Sequence, residues 1–199
     1  MNRTLLELAS FRAEAAVVGG SAGAVDVLTR VLPQLPATLG MPVVVVLHLP
    51  PRRVSLLPGL FAPRCALPVR EPVDKQPVEP GIWFAPADYH LLIESDRRFA
   101  LSIDEPVKFS RPSIDVLFES AAHAYTTRLL GVVLTGANDD GAAGAAAIRR
   151  LGGVVAVQDP EDAVATEMPS AAVKLASPQW VGNVQELASV MIMASGGTP

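Results

Sequence analysis

A chain of 199 residues, half of them apolar and 18% charged, is long enough to bury a sizeable core and too apolar to be a disordered tail. Its 16 basic and 20 acidic residues leave a net charge of −4, which excludes a nucleic-acid binder working by bulk electrostatics. Cys65 stands alone, so no intrachain disulfide forms, and a reducing compartment, the cytoplasm, is expected. No uncharged apolar run approaches the ~20 residues needed to span a bilayer, so direct membrane insertion is not expected. Glu7 and Glu14 interrupt the N-terminal segment where a secretory signal needs an unbroken apolar stretch.

In chain order, Ala15-Ala16-Val17-Val18 reads as a buried strand, and Val25 to Leu35 as a helix with apolar residues at 25, 27, 28, 31, 32 and 35, closed by Pro36. Val43 to Leu47 is a second buried strand. Residues 50 to 90 hold nine prolines, too many for long helices. Ile82-Trp83-Phe84-Ala85, Leu91 to Glu94 and Phe99 to Ile103 read there as short antiparallel strands, a β-hairpin extension of the same domain. Ile114 to Tyr125 follows as a helix with Ser113 as its N-cap. Leu129 to Leu134 is a third buried strand, Gly141 to Leu151 an Ala-rich helix stopped by Gly152-Gly153, and Val154 to Val157 a further strand. Strand–helix alternation with few aromatics predicts an α/β fold: a doubly wound, mostly parallel sheet flanked by helices.

Ligands of an open parallel sheet bind beyond the carboxyl ends of its strands. The three strongest predicted strands each deliver a reactive side chain to that edge. Ser21 follows the first, within Gly19-Gly20-Ser21-Ala22-Gly23, a G-x-S-x-G pattern that permits a tight strand-to-helix turn exposing the hydroxyl. His48 ends the second, and Asn138-Asp139-Asp140-Gly141 follows the third. Serine, histidine and carboxylate are the parts of an acyl-transfer triad. Each has a plainer alternative: Ser21 as a helix cap, His48 as a satisfied core group, and either aspartate as a cap at Gly141 or, with Asn138, a cation ligand short of oxygens. The order Ser, His, Asp does not match the α/β-hydrolases, which run Ser, acid, His.

At these residues the sequence resembles the chemotaxis protein-glutamate methylesterase family, the CheB type. Six blocks carry the resemblance in order: VVGGSAGAV (17–25), VVVVLHLPP (43–51), PGIWFAPADYHLLI (80–93), RPSIDVLFESAA (111–122), GVVLTGANDDGAAGAAAIRRLGG (131–153) and QDPEDAVATEMPSAAV (158–173). The resemblance implies Ser21 as nucleophile, His48 as general base and Asp140, rather than Asp139, as the residue that orients the histidine. It implies a backbone oxyanion donor at Ala137, with Ala22 and His90 as supporting site residues, and no metal or organic cofactor. The implied substrate is the glutamate methyl ester on cytoplasmic helices of methyl-accepting chemoreceptors, with glutamine deamidation as the same acyl chemistry. Ala22 and Asn138-Asp139 depart from the family's usual Thr and Gly-Asn. About 16 residues precede the first strand, so one catalytic domain, with a core over about 15–185 and no receiver domain, is expected, active without phosphorylation.

The segment Val27 to Arg70 carries Arg30, Arg52, Arg53, Arg64 and Arg70 and no acid. Arg52 and Arg53 follow the loop that begins at His48, where a positive rim would steer a glutamate-rich helix. A dinucleotide-binding reading fails, because the glycine offsets from Gly19 fall on Ser21 and Ala24 and no acid follows the second strand. The remaining alternative keeps the fold but places it in a non-chemotactic signalling system, or makes it a docking module without catalysis.

Overall fold

The structure, a computed structural model, describes residues 10–48 and 55–198. Seven strands form one parallel sheet in the order β3-β4-β2-β1-β7-β8-β9. They are β1 (Ala15–Gly20), β2 (Pro42–Leu47), β3 (Val69–Arg70), β4 (Gly81–Phe84), β7 (Leu129–Val133), β8 (Val154–Gln158) and β9 (Trp180–Gly182). Every residue of β1, β2, β7 and β8 is buried. The unbroken apolar runs of these strands follow from that, since both faces of the sheet are covered.

Alternate residues divide the core between the two faces. Ala16, Val18, Val43 and Val45 meet α1 (Ala24–Val31), the short α2 (Leu57–Phe61) and α6 (Val184–Ala194). On α1 the buried residues are Ala24, Val27, Leu28 and Val31, one helical stripe. Ala15, Val17, Val44 and Val46 meet α3 (Ile114–Tyr125), α4 (Ala142–Arg150) and α5 (Glu167–Ala176). The antiparallel pair β5 (His90–Ile93) and β6 (Phe99–Ser102) packs Leu91, Ile93 and Phe99 into this second core. The helices α3 and α4 lie very close, since a Cβ on Gly144 would stand 2.5 Å from Cβ of Phe118. That approach brings their N-termini together, which the site depends on.

The doubly wound α/β class and the hairpin extension are as predicted. One strand pairing differs. Residues 81–84 form no antiparallel strand: β4 pairs parallel with β2, Val43 opposite Ile82 and Val44 opposite Trp83. Ile82, Trp83 and Phe84 are buried on both faces of the main sheet. The proline-rich stretch before them is the crossover that parallel pairing requires, and its proline density masks that role. The predicted helix 25–35 is α-helical to Val31 and then a single 3₁₀ turn over Leu32–Gln34, since Pro33 has no N–H to continue the ladder. Ser113 precedes α3, but its hydroxyl makes no cap bond to that helix. Arg52 and Arg53 lie outside the described residues.

Candidate active site

From β1 the chain winds outward through β2 on one side, while β7, β8 and β9 occupy the other. Ser21, His48 and the 136–140 loop therefore leave the carboxyl edge at the switch point, where such sheets bind ligands. Gly20 pairs with Leu47, so Ser21 and His48 take the next register position on adjacent strands. The His48 N–H still donates to the Gly20 carbonyl at 3.3 Å. Two backbone bonds fix the Ser21 loop: Ser21 N–H to the Thr135 carbonyl at 2.9 Å and Ala24 N–H to the Ser21 carbonyl at 3.0 Å. Gly23 turns the chain into α1 with φ 83°, and a Cβ there would strike Val164. The Ser21 hydroxyl makes no hydrogen bond among the described residues and is partly exposed.

His48 is held from the other side. Its Nε2 stands 2.8 Å from Oδ2 of Asp140, whose side chain is fully buried. Nδ1 is therefore the ring nitrogen that Asp140 does not engage. The Asp140 carboxylate accepts three further bonds. Oδ2 takes the Ile114 N–H at 2.7 Å, and Oδ1 takes the Asp115 N–H at 3.0 Å and the Ser113 hydroxyl at 2.9 Å. Asp140 thus caps α3, a helix distant in sequence, where the open N–H groups favour an anion. Burial pushes its pKa up, but the bonds from His48 and from the Asp115 and Ile114 N–H groups outweigh this. The carboxyl sits below its ordinary value.

Asp115 returns the cap. Its Oδ1 accepts the N–H of Gly141 at 2.9 Å and of Gly144 at 2.7 Å, at the start of α4. Neither aspartate of the 138–141 loop caps the helix that follows it. Asp139 is exposed and pairs with Lys108. His90 is buried behind the site, where Nδ1 accepts the Ser113 N–H at 3.1 Å and Nε2 meets the Glu105 carbonyl at 3.1 Å. It is linked to Asp140 through Ser113, whose N–H it accepts and whose hydroxyl donates to that carboxylate. Ala22 and Ala137 are exposed, and among the described residues their N–H groups have no hydrogen-bond partner, as an oxyanion donor requires.

Thr135, Asp115 and Lys108 are the residues that sequence reasoning passed over. Thr135 Oγ1 lies 2.9 Å from the Ala22 carbonyl and accepts the Ala165 N–H at 2.8 Å, tying the Ser21 loop to the 165 loop. Buried Gln158 accepts the Thr135 N–H at 2.9 Å. The available signal was the pairing of Ser113 with Asp115 in one block. Among the described residues no three His, Cys, Asp or Glu side chains group as a metal site.

The family model described as CheB methylesterase matches residues 16–191. This chain belongs to the CheB methylesterase family. Its matches include a Leptospira interrogans protein named for protein-glutamate methylesterase/protein-glutamine glutaminase activity, 42% identical over 180 residues. That alignment covers 90% of this chain and 93% of the relative. A Trichodesmium erythraeum protein-glutamate methylesterase/protein-glutamine glutaminase is 33% identical over 198 residues, 98% of this chain but 56% of the relative. The chain thus spans nearly all of one CheB relative and about half of another. The crystal structure of the Thermotoga maritima CheB methylesterase catalytic domain matches with TM-score 0.86 at 29% identity, over 90% of this chain and 97% of that one.

Proposed function

We propose that this chain is a protein-glutamate methylesterase whose triad is Ser21, His48 and Asp140, working as one catalytic domain. The observation that carries the reading is the 2.8 Å bond between His48 Nε2 and buried Asp140, one register step from a serine on the neighbouring strand. With Nε2–H donated to the carboxylate, Nδ1 carries the lone pair that takes the Ser21 proton. Oγ then bonds to the ester carbonyl carbon, and the developing oxyanion is received by backbone N–H groups at Ala137 and Ala22. The imidazolium returns the proton as the C–OCH₃ bond breaks and methanol leaves. Water, deprotonated by the same imidazole, cleaves the acyl-enzyme to glutamate and regenerates Ser21. Glutamine side chains follow the same path with ammonia leaving, and the relatives' names carry that second activity. The substrates assigned are cytoplasmic helices of methyl-accepting chemoreceptors. The residues in these roles require no metal or cofactor.

Ser21→Ala tests this. Methanol release from a methylated receptor fragment is expected to fall by about 10³-fold or more, with the thermal midpoint unchanged. Turnover near wild type would reject the triad.

A further inference from the structure

Asp115 is the buried group that the esterase chemistry leaves unused. Its carboxylate shares the crossed N-termini of α3 and α4 with Asp140. Two carboxylates so placed repel, and each opposes the other's ionisation. Oδ2 of Asp115 meets the Lys108 ammonium at 3.0 Å. The same ammonium reaches Oδ1 of Asp139 at 3.2 Å and the Asp139 carbonyl at 3.0 Å. Its three donors thereby bridge Asp115 at the start of α3 and Asp139 on the loop that carries Asp140.

Lys108 is delivered by an unusual turn. Val107 and Ser110 close it with bonds of 2.9 and 3.2 Å, and Lys108 and Phe109, neither a glycine, take φ of 48° and 63°. Two consecutive side-chain-bearing residues in the left-handed region persist only where surroundings hold them, as the three contacts of Lys108 do.

We propose that Lys108 is a positioning residue for the reaction: its charge offsets Asp115 and so keeps the neighbouring His48–Asp140 pair free of a surplus proton near neutral pH. The inference rests on the triad reading above. Among the described residues, the charged groups around the pair are Asp115 from α3, which shares the helix N-termini with Asp140, and the Lys108 and Asp139 side chains that ion-pair beside it. His90 has both ring nitrogens occupied, and the Arg111 guanidinium is bound to the carbonyls of Ile103 and Asp104. Without Lys108, the Asp115 carboxylate stands uncompensated at the helix ends it shares with Asp140. Burial already pushes Asp115 above the ordinary carboxylate value, against the Gly144 N–H and Lys108, which hold it down. Burial pulls Lys108 the other way, but Asp115 and Asp139 keep its pKa raised, so it stays charged. Removing the cation leaves the Asp115 charge unopposed beside Asp140, and an added negative charge favours proton binding at the pair.

The test is the pH profile of kcat/KM with p-nitrophenyl acetate, which bypasses docking of a receptor helix. Lys108→Met is expected to move the acidic limb up by about one pH unit, a loss of about tenfold below the limb that is recovered above it. Lys108→Arg, which keeps the charge, is expected to return the limb toward wild type. Adding Asp115→Asn to Lys108→Met is expected to do the same, because the amide keeps an oxygen for Gly141 and Gly144 and removes the surplus charge. An unmoved limb in Lys108→Met, or an equal loss at every pH that Asp115→Asn does not relieve, overturns the proposal. Ser21→Ala run in parallel separates the two readings. If it is inactive while Lys108→Met has the wild-type profile, the triad stands and the Lys108 role falls. If Ser21→Ala is active, the triad itself is wrong.

Discussion

Asp140→Asn removes more than a charge, because four donors converge on that carboxylate. On the Oδ2 side stand His48 Nε2 and the Ile114 N–H, and on the Oδ1 side the Ser113 hydroxyl and the Asp115 N–H. An asparagine has one acceptor oxygen, and its NH₂ must face the other side. Either orientation turns that NH₂ against a backbone N–H of the first turn of α3. A buried donor left unpaired costs about 1–3 kcal/mol, and losing an anion at a helix N-terminus adds about 0.3–1 kcal/mol. Unfolding free energy in urea should therefore drop by about 1–4 kcal/mol. Ester hydrolysis should fall by about 10³-fold or more, through loss of the negative charge opposite the imidazolium and, in one orientation, of the correct tautomer. Asp139→Asn is the contrast. Asp139 is exposed and its partner Lys108 retains Asp115, so stability should change by less than about 1 kcal/mol and the rate by roughly threefold or less. Steady-state hydrolysis and urea titration of both variants decide the matter. A greater loss in Asp139→Asn, or an Asp140→Asn protein with wild-type stability, would refute the reciprocal-cap geometry as the basis of the site.

Thr135→Val keeps the shape and removes Oγ1, freeing the Ala165 N–H and the Ala22 carbonyl at the nucleophile loop. The kcat for ester hydrolysis should fall about 10- to 100-fold through misplacement of that loop, and Thr135→Ser should restore most of it; equal kcat in the valine variant would show the loop is fixed elsewhere. Tyr125 is buried at the end of α3, and burial, opposed by Arg97 and reinforced by Glu14, pushes its pKa up to about 12. Its raised folded pKa favours the neutral form. The associated stability is full below pH ~10 and is lost as pH rises towards 12, about 2–3 kcal/mol in all. Denaturation of wild type and Tyr125→Phe between pH 9.5 and 12 should show a shallower decline in the variant, and parallel declines would mean another group carries the alkaline loss.

The sheet's central strands were legible locally. Runs such as Val43 to Leu47 are buried on both faces, so their composition alone announces them, and each ends where its reactive residue sits. The three site positions follow from that edge, and the resemblance chose Asp140 over Asp139, a choice that neither composition nor spacing makes. Partner identity was not legible. Ile82-Trp83-Phe84-Ala85 has the look of a strand, but whether it pairs with its hairpin neighbours or with β2 depends on where the proline-rich crossover returns it. Ser113 has the residue type of a cap, yet its hydroxyl serves Asp140 instead. The binding of Asp140 to one helix and Asp115 to the other arises only when α3 and α4 pack closely enough to cross their N-termini, at a glycine, Gly144, that leaves room. Periodicity reports what a residue's own strand or helix buries. Hydrogen bonds between groups some 25 residues apart depend on how those elements are stacked, and only the tertiary structure decides that.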